Sequence, residues 1–387
     1  MLQSALEAEV DSFVSRHRAT RDEDGRRHVV RNGYCPERDV LTGAGPLKVK
    51  QPRVRDRRGA GADDRVSFTS SILPPYLRRS KKLDELVPWL YLRGISTGDM
   101  QPALEALLGE NAGTLSANTV VRLKEQWAKE HDEWRKQSLA EREFVYVWAD
   151  GVYFNIRLED DRQCILVLMG ATKDGKKRLL GILDGFRESE QSWSELLIGL
   201  KQRGLRIAPK VAVGDGALGF WKALRKVFPA TREQRCWVHK TANVLNALPR
   251  SVQFKAKKDL HEIWQAETRD DAYRAFDTFI EKYEAKFPKA TAKLTRDRDA
   301  LLTFYDFPAE HWSHLRTTNP IESTFATVRL RHRRTKGSGT RHACLAMVFR
   351  LIQLAETNWR RLKSSNLLLK VVDGVRFVDG LEERNAA

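Results

Sequence analysis

Residues 144–186, FVYVWADGVYFNIRLEDDRQCILVLMGATKDGKKRLLGILDGF, decide the fold class. The stretch contains three extended apolar runs, and Gly and Asp residues separate them. That pattern is typical of successive strands joined by turns, as in an antiparallel meander. We expect the first strand to end at Asp150, in the segment WAD.

Helices and strands are predicted to alternate after this meander. The segments are a helix in SEQSWSELLIGLKQRG, a short strand in PKVAVGDGALGF that ends at Asp215, a helix in WKALRKVFP and a last short strand in TREQRCWVH. This order predicts an α/β fold with a mixed sheet over residues 139–239. Residues 240–314 show only helical patterns and are predicted to be an inserted helical domain. Residues 315–362 resume the α/β domain, and residues 363–387 form a C-terminal tail.

The composition points to a polyanionic partner. The 387 residues include 68 Lys and Arg against 51 Asp and Glu, a net charge of +17, so nucleic acid is the first candidate. Ten Trp and sixteen Phe supply a buried core, which argues against a disordered basic tail. The four cysteines form no CxxC pair, which argues against a disulfide scaffold and a four-thiolate zinc site. The N-terminus does not resemble a signal peptide and no apolar run could span a bilayer, so we expect a cytoplasmic, nucleoid-associated protein with no membrane contact.

Residues 1–75 are predicted to support dimerisation and DNA binding. They begin with an amphipathic helix over residues 1–16 and continue into VLTGAGPLKVKQPRVRDRRG. In that segment basic and apolar residues alternate with the period of a strand, which gives it one basic face. The face would lie along phosphates, or it belongs to an edge strand whose charges prevent aggregation. Its basic residues are Lys48, Lys50, Arg53 and Arg55.

Residues 76–138 have the outline of a helix-turn-helix. A helix from Lys81 to Leu92, a break at Gly94, a short second helix and a turn at Glu110–Thr114 precede a longer helix that Ser116 would cap. In a helix-turn-helix the last helix enters the major groove, although helical hairpins of this outline also occur as packing units. The residues that would probe the groove are Asn118, Thr119, Arg122 and Lys124.

Acids follow two predicted strands of the α/β domain. Asp150 ends WAD and Asp215 ends VAVGD, and Gly follows each of them. If the two strands are neighbours, both side chains project from the same end of the sheet. A divalent cation would explain the two like charges, because Mg²⁺ and Mn²⁺ prefer oxygen ligands and paired ions act in phosphoryl transfer. Taken singly, each Asp-Gly pair is also an ordinary turn signal.

A third acid, Glu322, lies in TTNPIESTFATVRLRHRRTKGSG, residues 317–339. Asn319 suits the cap of a helix and Pro320 its first position, so Glu322 at the third position could simply close a capping box. It could equally join Asp150 and Asp215 in a two-metal site, and the two roles are compatible. The basic residues that follow would then hold the phosphates of the substrate. They are Arg329, Arg331, Arg333, Arg334 and Lys336.

Several separated segments carry a specific resemblance. VYVWADGVYF, VAVGDGALGFWKAL, FPATREQRCWVHKTANVL and TTNPIESTFATVRLRHRRTKGSG resemble signatures of the Mutator-like bacterial insertion-sequence transposases, which are DDE transposases. The resemblance covers nearly the whole chain. It implies a ribonuclease-H-like catalytic core interrupted by the helical insertion and preceded by DNA-binding domains. It also implies that Asp150, Asp215 and Glu322 are the catalytic acids that bind two Mg²⁺ or Mn²⁺ ions.

The resemblance further implies the substrates and the assembly. The expected activity is metal-dependent cleavage at the end of the element, followed by attack of the freed 3′-OH on target DNA. The partners would be double-stranded DNA, namely the terminal inverted repeats and the target, and a second copy of the chain, since two ends must be joined. A structure-selective nuclease that cuts without joining and a catalytically silent DNA-binding repressor are the alternatives.

The segment Cys236-Trp237-Val238-His239 also matches a motif of this family. One Cys and one His are only half of a zinc site, and a His at a strand end is commonly a hydrogen-bonded core residue. We expect His239 to act in catalysis by contacting the scissile phosphate or a flanking strand, and Cys236 to be structural. Trp264 in the insertion would stack on an unpaired base, or it belongs to the core of its helix.

Overall fold

The computed structural model describes residues 1–42, 45–59, 62–75, 77, 80–96, 98–108, 117–157, 162–185, 187–216, 218–334 and 337–383. The chain divides into two compact units, Met1–Val121 and Arg122–Ala387. The predicted turn at Glu110–Thr114, the predicted cap Ser116 and the predicted DNA contact Lys336 lie outside the described residues.

The first unit contains a helix that packs with two small antiparallel sheets. Its elements are α1 Leu2–Arg16, β1 Val29–Tyr34, β2 Arg38–Thr42, β3 Gly45–Val49, β4 Pro52–Asp56, α2 Lys81–Leu92 and α3 Met100–Leu108. Strand β1 pairs with β4, and β2 pairs with β3. Leu6 of α1 joins Val40, Val49 and Leu73 in a buried cluster. The amphipathic first helix and the helix at Lys81–Leu92 are therefore confirmed.

The basic-faced segment forms two strands rather than one. β3 pairs with β2, whereas β4 pairs with β1, so the chain changes partner between Val49 and Pro52. Proline has no N–H to donate, which favours the start of a strand over its interior. Because the two strands belong to separate two-stranded sheets, the predicted basic residues are divided between them.

The second unit is built on a five-stranded mixed sheet. Its strands are β5 Phe144–Phe154, β6 Gln163–Thr172, β7 Lys177–Gly185, β8 Val211–Gly214 and β9 Arg232–Arg235, in the order β7-β6-β5-β8-β9. The first three are antiparallel, as the meander predicted, and β8 and β9 run parallel to β5. The predicted α/β class with a mixed sheet is confirmed.

Helices cover the sheet, and the strands present alternate residues to them. Helix α4, Ala117–Trp134, leads into the sheet, and α5, Glu190–Gln202, and α6, Leu218–Val227, follow β7 and β8. Val147 and Ala149 share a buried cluster with Trp193 of α5 and Trp221 of α6. Tyr146 and Trp148 instead bond to His311 and to the carbonyl of His314, so Asp150, which alternates with them, lies on this second face.

Two sequence-based boundaries are wrong. Asp150 does not end its strand, because β5 continues to Phe154 and pairs with β6 along this length, with Asp150 opposite Val167. Pairing with a long neighbour overrides the local turn preference of Asp-Gly. The last strand ends at Arg235, and His239 lies on a helix, because Cys236 caps α7, which begins at Trp237.

Residues 237–315 are helical, which confirms the pattern predicted for 240–314. The helices are α7 Trp237–Leu245, α8 Arg250–Gln265, α9 Arg269–Tyr283, α10 Pro288–Thr295, α11 Arg298–Leu301, the 3₁₀ turns Thr303–Asp306 and Ala309–His311, and α12 Trp312–Leu315. Then follow α13 Asn319–Arg334, α14 Arg341–Glu356, α15 Leu367–Val372 and the hairpin β10 Phe377–Val378 and β11 Leu381–Glu382. Among the residues described, we find no helix with the length and apolar character needed to cross a membrane.

Candidate active site

Asp150 lies in the middle of the sheet, on the central strand β5. Its side chain is 7% exposed and accepts a hydrogen bond from the N–H of Gly151 at 2.9 Å. Burial raises the pKa of Asp150 to about 7; His239 acts against this shift, and Asp215 and Glu322 add to it. A buried carboxyl with two acids nearby is costly to ionise unless a cation is bound.

Asp215 follows β8, the parallel neighbour of β5. The register places Trp148 opposite Val213, so Asp215 comes two residues further along, level with Asp150. Two donors hold its backbone carbonyl: the indole of Trp221 at 2.8 Å and the guanidinium of Arg235 at 3.0 Å. The two acid-bearing strands are therefore neighbours, which was the condition for both side chains to project from the same end of the sheet.

Glu322 reaches the same region from the first turns of α13. Its Oε1 accepts a hydrogen bond from the Thr318 hydroxyl at 2.6 Å and lies 3.8 Å from Nδ1 of His239. Helix α13 begins at Asn319, so Asn319 is its first residue rather than its cap, and the carboxylate of Glu322 turns toward His239. The Glu322 side chain therefore accepts a hydrogen bond at the start of α13, and its charge also acts on Asp150.

Cys236 and His239 flank Glu322 at the start of α7. Cys236 is buried, and its Sγ accepts hydrogen bonds from the N–H and the hydroxyl of Thr318 at 3.3 and 3.4 Å. The pKa of His239 is raised to about 9, first by its hydrogen bond to Cys236 and then by the charges of Cys236, Asp150 and Glu322, against the effect of burial. The shift favours the protonated imidazole, whose Nδ1 lies beside Glu322.

The donor atoms fit the expected cations. Asp150, Asp215 and Glu322 supply carboxylate oxygens, which suit Mg²⁺ and Mn²⁺. Among the residues that the structure describes, the group whose ligand atoms lie within 4.8 Å of one another is Cys236, His239 and Glu322 rather than the three acids, and its sulfur and nitrogen donors suit zinc better than Mg²⁺. The Cys236 sulfur accepts the N–H of Thr318 and lies 3.4 Å from its hydroxyl oxygen, while that hydroxyl donates to Glu322, so these contacts hold Thr318 beside Glu322.

Comparison with known proteins identifies the family. The family model described as "Transposase, Mutator family" matches residues 1–362. The chain belongs to the Mutator family of transposases. The transposase for insertion sequence element IS6120 of Mycolicibacterium smegmatis is 51% identical over 298 residues, 77% of this chain and 92% of that protein. The transposase for IST2 of Acidithiobacillus ferrooxidans is 50% identical over 282 residues, 73% and 95% of the two chains.

A more distant relative extends the similarity along the chain. The transposase for ISRM5 of Rhizobium meliloti (strain 1021) is 26% identical over 361 residues, 93% of this chain and 86% of that protein. The family resemblance carried by the sequence motifs is confirmed.

Sequence reasoning missed one acid near the site of this Mutator-family transposase. Glu188 lies in the loop between β7 and α5, and its side chain packs against Gly151, next to Asp150. Burial, Asp215 and Asp150 raise the pKa of Glu188 to about 7, while His239 and Tyr153 oppose the shift. The loop has no periodic pattern, so only its position directly before the helix cap Ser189 marked Glu188 in the sequence.

The predicted phosphate-binding residues of α13 differ in their exposure to solvent. Arg329, Arg333 and Arg334 are exposed, whereas Arg331 is only 2% exposed. Arg331 lies on the inward stripe with Ile321, Phe325 and Val328, a helical spacing that the sequence already contained. Its burial disfavours a DNA contact and leaves the exposed arginines as the stronger expectation.

Most of the other predicted DNA contacts are at the surface. Lys48, Lys50, Arg53, Arg55 and Arg122 are exposed and Lys124 is half-buried. Asn118 and Thr119 belong to α4, and their side chains lie outside the described residues.

Trp264 is half-buried on α8. The Arg316 guanidinium lies 5.5 Å from its ring centroid, and the His261 ring packs edge-on at 5.0 Å. These three residues line a cavity of about 440 Å³. Base stacking by Trp264 stays a prediction.

Proposed function

We propose that this chain is the transposase of a bacterial insertion sequence, which binds the terminal inverted repeats and catalyses DNA strand cleavage and strand transfer. The observation that carries the proposal is the family match over residues 1–362. It is supported by the position of Asp150 and Asp215 on or beside adjacent strands and by the charge of Glu322, on α13, which raises the pKa of Asp150.

The sheet supports a ribonuclease-H-like core in this proposal. Three antiparallel strands are followed by two that run parallel to the central one, and both faces carry helices. Residues 240–314 would be the helical insertion within that core. Residues 1–75 and 76–138 would read the inverted repeats, since their exposed basic side chains suit phosphate contacts.

In this mechanism the chain's own residues position the substrate phosphate. Mg²⁺ or Mn²⁺ held by Asp150, Asp215 and Glu322 would supply Lewis acidity and lower the pKa of a bound water. Trp221 and Arg235 fix the backbone at Asp215, and Thr318 fixes Glu322. The His239 cation would donate a hydrogen bond to a nonbridging oxygen of the scissile phosphate, where negative charge accumulates.

Two balanced displacements would complete the reaction. In cleavage, a water oxygen bonds to phosphorus while the bond to the 3′ oxygen breaks, which leaves a 3′-OH on the element. In joining, that 3′ oxygen bonds to a target phosphorus and the target's own 3′ oxygen leaves. Each joining step exchanges one phosphodiester for another, so no nucleotide cofactor is required. Because two element ends must meet, a homodimer or a larger assembly on DNA belongs to the proposal, as does a nucleoid-associated location.

The test is a cleavage and joining assay on a labelled duplex that carries the element's own terminal sequence, with Mg²⁺ or Mn²⁺. Wild type is compared with Asp150→Asn, Asp215→Asn and Glu322→Gln, each checked for folding by circular dichroism. Metal-dependent joined products that disappear in all three variants would support the proposal. Cleavage without joining would indicate a nuclease, DNA binding with neither reaction would indicate a repressor, and activity in the variants would exclude these acids.

A further inference from the structure

Cys236 and His239 lie at positions of α7 that bring their side chains together. Cys236 caps the helix and His239 is its third residue, the spacing at which the cap and the first turn face each other in a capping box. The two side chains share a hydrogen bond. The motif therefore places a sulfur atom and an imidazole nitrogen side by side.

Glu322 brings a third donor atom to the same place from α13. Its Oε1 lies 3.8 Å from Nδ1 of His239, and the Sγ of Cys236, this Nδ1 and a Glu322 oxygen all lie within 4.8 Å of one another. Bond lengths of about 2.0–2.3 Å put the donors of one tetrahedral zinc ion roughly 3.3–3.6 Å apart. The donors are thus near the separation that zinc requires, and the widest gap has to shorten by about 1 Å.

The Thr318 hydroxyl marks the point on which the three donors converge. Its oxygen lies 2.6 Å from Oε1 of Glu322 and 3.4 Å from both Sγ of Cys236 and Nδ1 of His239. A hydroxyl has one hydrogen to donate, and the shortest contact assigns it to Glu322. This hydroxyl cannot donate to the sulfur and the nitrogen as well, whereas one cation bound among the three donors would be shared by all of them.

We propose that Cys236, His239 and Glu322 form a zinc site, and that zinc bound there inhibits the metal-dependent reaction. Sulfur and nitrogen donors favour Zn²⁺ over Mg²⁺ and Mn²⁺, and three protein ligands leave a fourth position for water. The inhibition rests on the proposed function. Zinc at this site takes the Glu322 carboxylate away from Asp150 and Asp215 and binds the His239 ring in its neutral form, so neither residue can act in strand cleavage.

Cobalt binding measured without DNA tests the site. Co²⁺ accepts the same ligands as zinc, and a bond from cobalt to a thiolate gives charge-transfer absorption in the near ultraviolet that oxygen and nitrogen ligands do not give. The full chain is freed of metal with EDTA, the chelator is removed, and Co²⁺ is titrated in. We expect the wild type to develop this absorption band and added Zn²⁺ to abolish it.

Three variants assign the band to these residues. Cys236→Ser is expected to lose it, and Glu322→Gln to bind Co²⁺ about tenfold more weakly or worse. The matched control is Cys344→Ser, which changes another buried cysteine and should leave the band unchanged. Thermal unfolding in EDTA checks that each variant folds.

Either of two results would overturn the site. One is the absence of the band in the wild type, and the other is its persistence in folded Cys236→Ser. If Cys236→Ser does not fold, Glu322→Gln decides, because an unchanged affinity for Co²⁺ in that variant would also overturn the site.

Inhibition is measured separately, on the labelled element-end duplex with a constant concentration of Mn²⁺. We expect Zn²⁺ to stop cleavage by the wild type over the same concentration range in which it displaces Co²⁺. Cleavage that continues after zinc has filled the site would overturn the inhibitory role. A wild-type protein that forms the cobalt band but shows no cleavage with Mn²⁺ would instead count against the proposed function, so the two failures are distinguishable.

Discussion

At the scale of single residues, ionisation of the buried Asp150 carboxyl is expected to lower the stability of the folded state. Its pKa rises from 3.8 in the unfolded chain to about 7 in the folded one, so the folded state binds the proton more tightly. Ionisation therefore destabilises the fold increasingly from about pH 4 to pH 7, and fully above pH 7. In EDTA at pH 8, we expect Asp150→Asn to raise Tm by roughly 5 °C.

Thermal scans at pH 4 and pH 8 check this expectation, because the gain should nearly vanish at the lower pH. Adding Mn²⁺ should reduce the difference in Tm between Asp150→Asn and wild type at pH 8, because only the wild type has the Asp150 carboxylate to bind the cation. If Asp150→Asn is less stable than wild type at pH 8 in EDTA, the inferred destabilisation by the ionised Asp150 carboxylate is wrong.

Ionisation of His239 has the opposite effect on the stability of the fold. Its pKa rises from 6.5 to about 9, so the charged imidazole stabilises the fold fully below pH 6.5 and loses this effect as the pH rises through 9. We expect His239→Gln to lower Tm at pH 6 in EDTA and to match wild type near pH 10. The control is His342→Gln, an exposed histidine on α14, which should show no such convergence. A deficit that is constant over this pH range would instead indicate lost packing.

At the scale of elements, a buried ion pair joins α7, which carries His239, to the helices behind it. Lys240 is 5% exposed; its ammonium bonds to the carbonyl of Lys293 at 2.8 Å and to the carboxylate of Asp297. Removing one partner of an isolated buried pair costs about 3–5 kcal/mol. Loss of Lys240 should cost less, about 1–3 kcal/mol, because Arg235 and Arg296 remain 3.6 and 4.0 Å from the Asp297 carboxylate. We expect Lys240→Met to unfold in urea with that loss. Lys293→Ala, an exposed lysine nearby, should change stability by less than about 0.5 kcal/mol.

A double variant, Lys240→Met with Asp297→Leu, provides the internal check. It should recover part of the stability lost in Asp297→Leu, since Lys240 no longer stays buried without that partner. The recovery is partial because Arg235, which is 5% exposed, loses its contact with Asp297 at 3.6 Å. If the double variant is less stable than the sum of both single losses predicts, the pair does not act as inferred.

How far the sequence predicts these elements depends on whether local or distant contacts decide them. Helix α5 was readable because its cap Ser189 and its apolar spacing are local, and β6 because nearly all its residues are buried and apolar. The extension of β5 past Asp150 could not be predicted from the sequence, because Asp-Gly favours a turn and only the pairing of β5 with β6 overrides that preference. The position of Glu188 could not be predicted from the sequence either, because its contact with Gly151 comes from tertiary packing alone.

At the scale of the whole molecule, the excess positive charge is unevenly divided. Residues 1–121 contain 19 Lys and Arg against 16 Asp and Glu, a net +3, so residues 122–387 carry the remaining +14 of the total +17. Phosphate neutralisation makes affinity fall with salt, and the slope reports the number of contacts. We therefore expect most of the salt-dependent affinity to come from residues 122–387, and most of the preference for the inverted repeat from residues 1–138, which include the predicted groove-reading helix α4.

Two multiple variants separate these contributions in filter-binding or anisotropy titrations from about 50 to 200 mM salt. Neutralising Arg329, Arg333 and Arg334 to Gln should reduce the slope by about 2–3 on specific and unrelated DNA alike. Neutralising Lys48, Lys50, Arg53 and Arg55 should instead narrow the difference in affinity between inverted-repeat and unrelated duplexes. The control for charge alone replaces three exposed lysines with no predicted contact, Lys173, Lys286 and Lys289. If that control reduces the slope as much as the α13 variant, the arginines act through net charge, because a local phosphate contact would be lost only when its own side chain is removed.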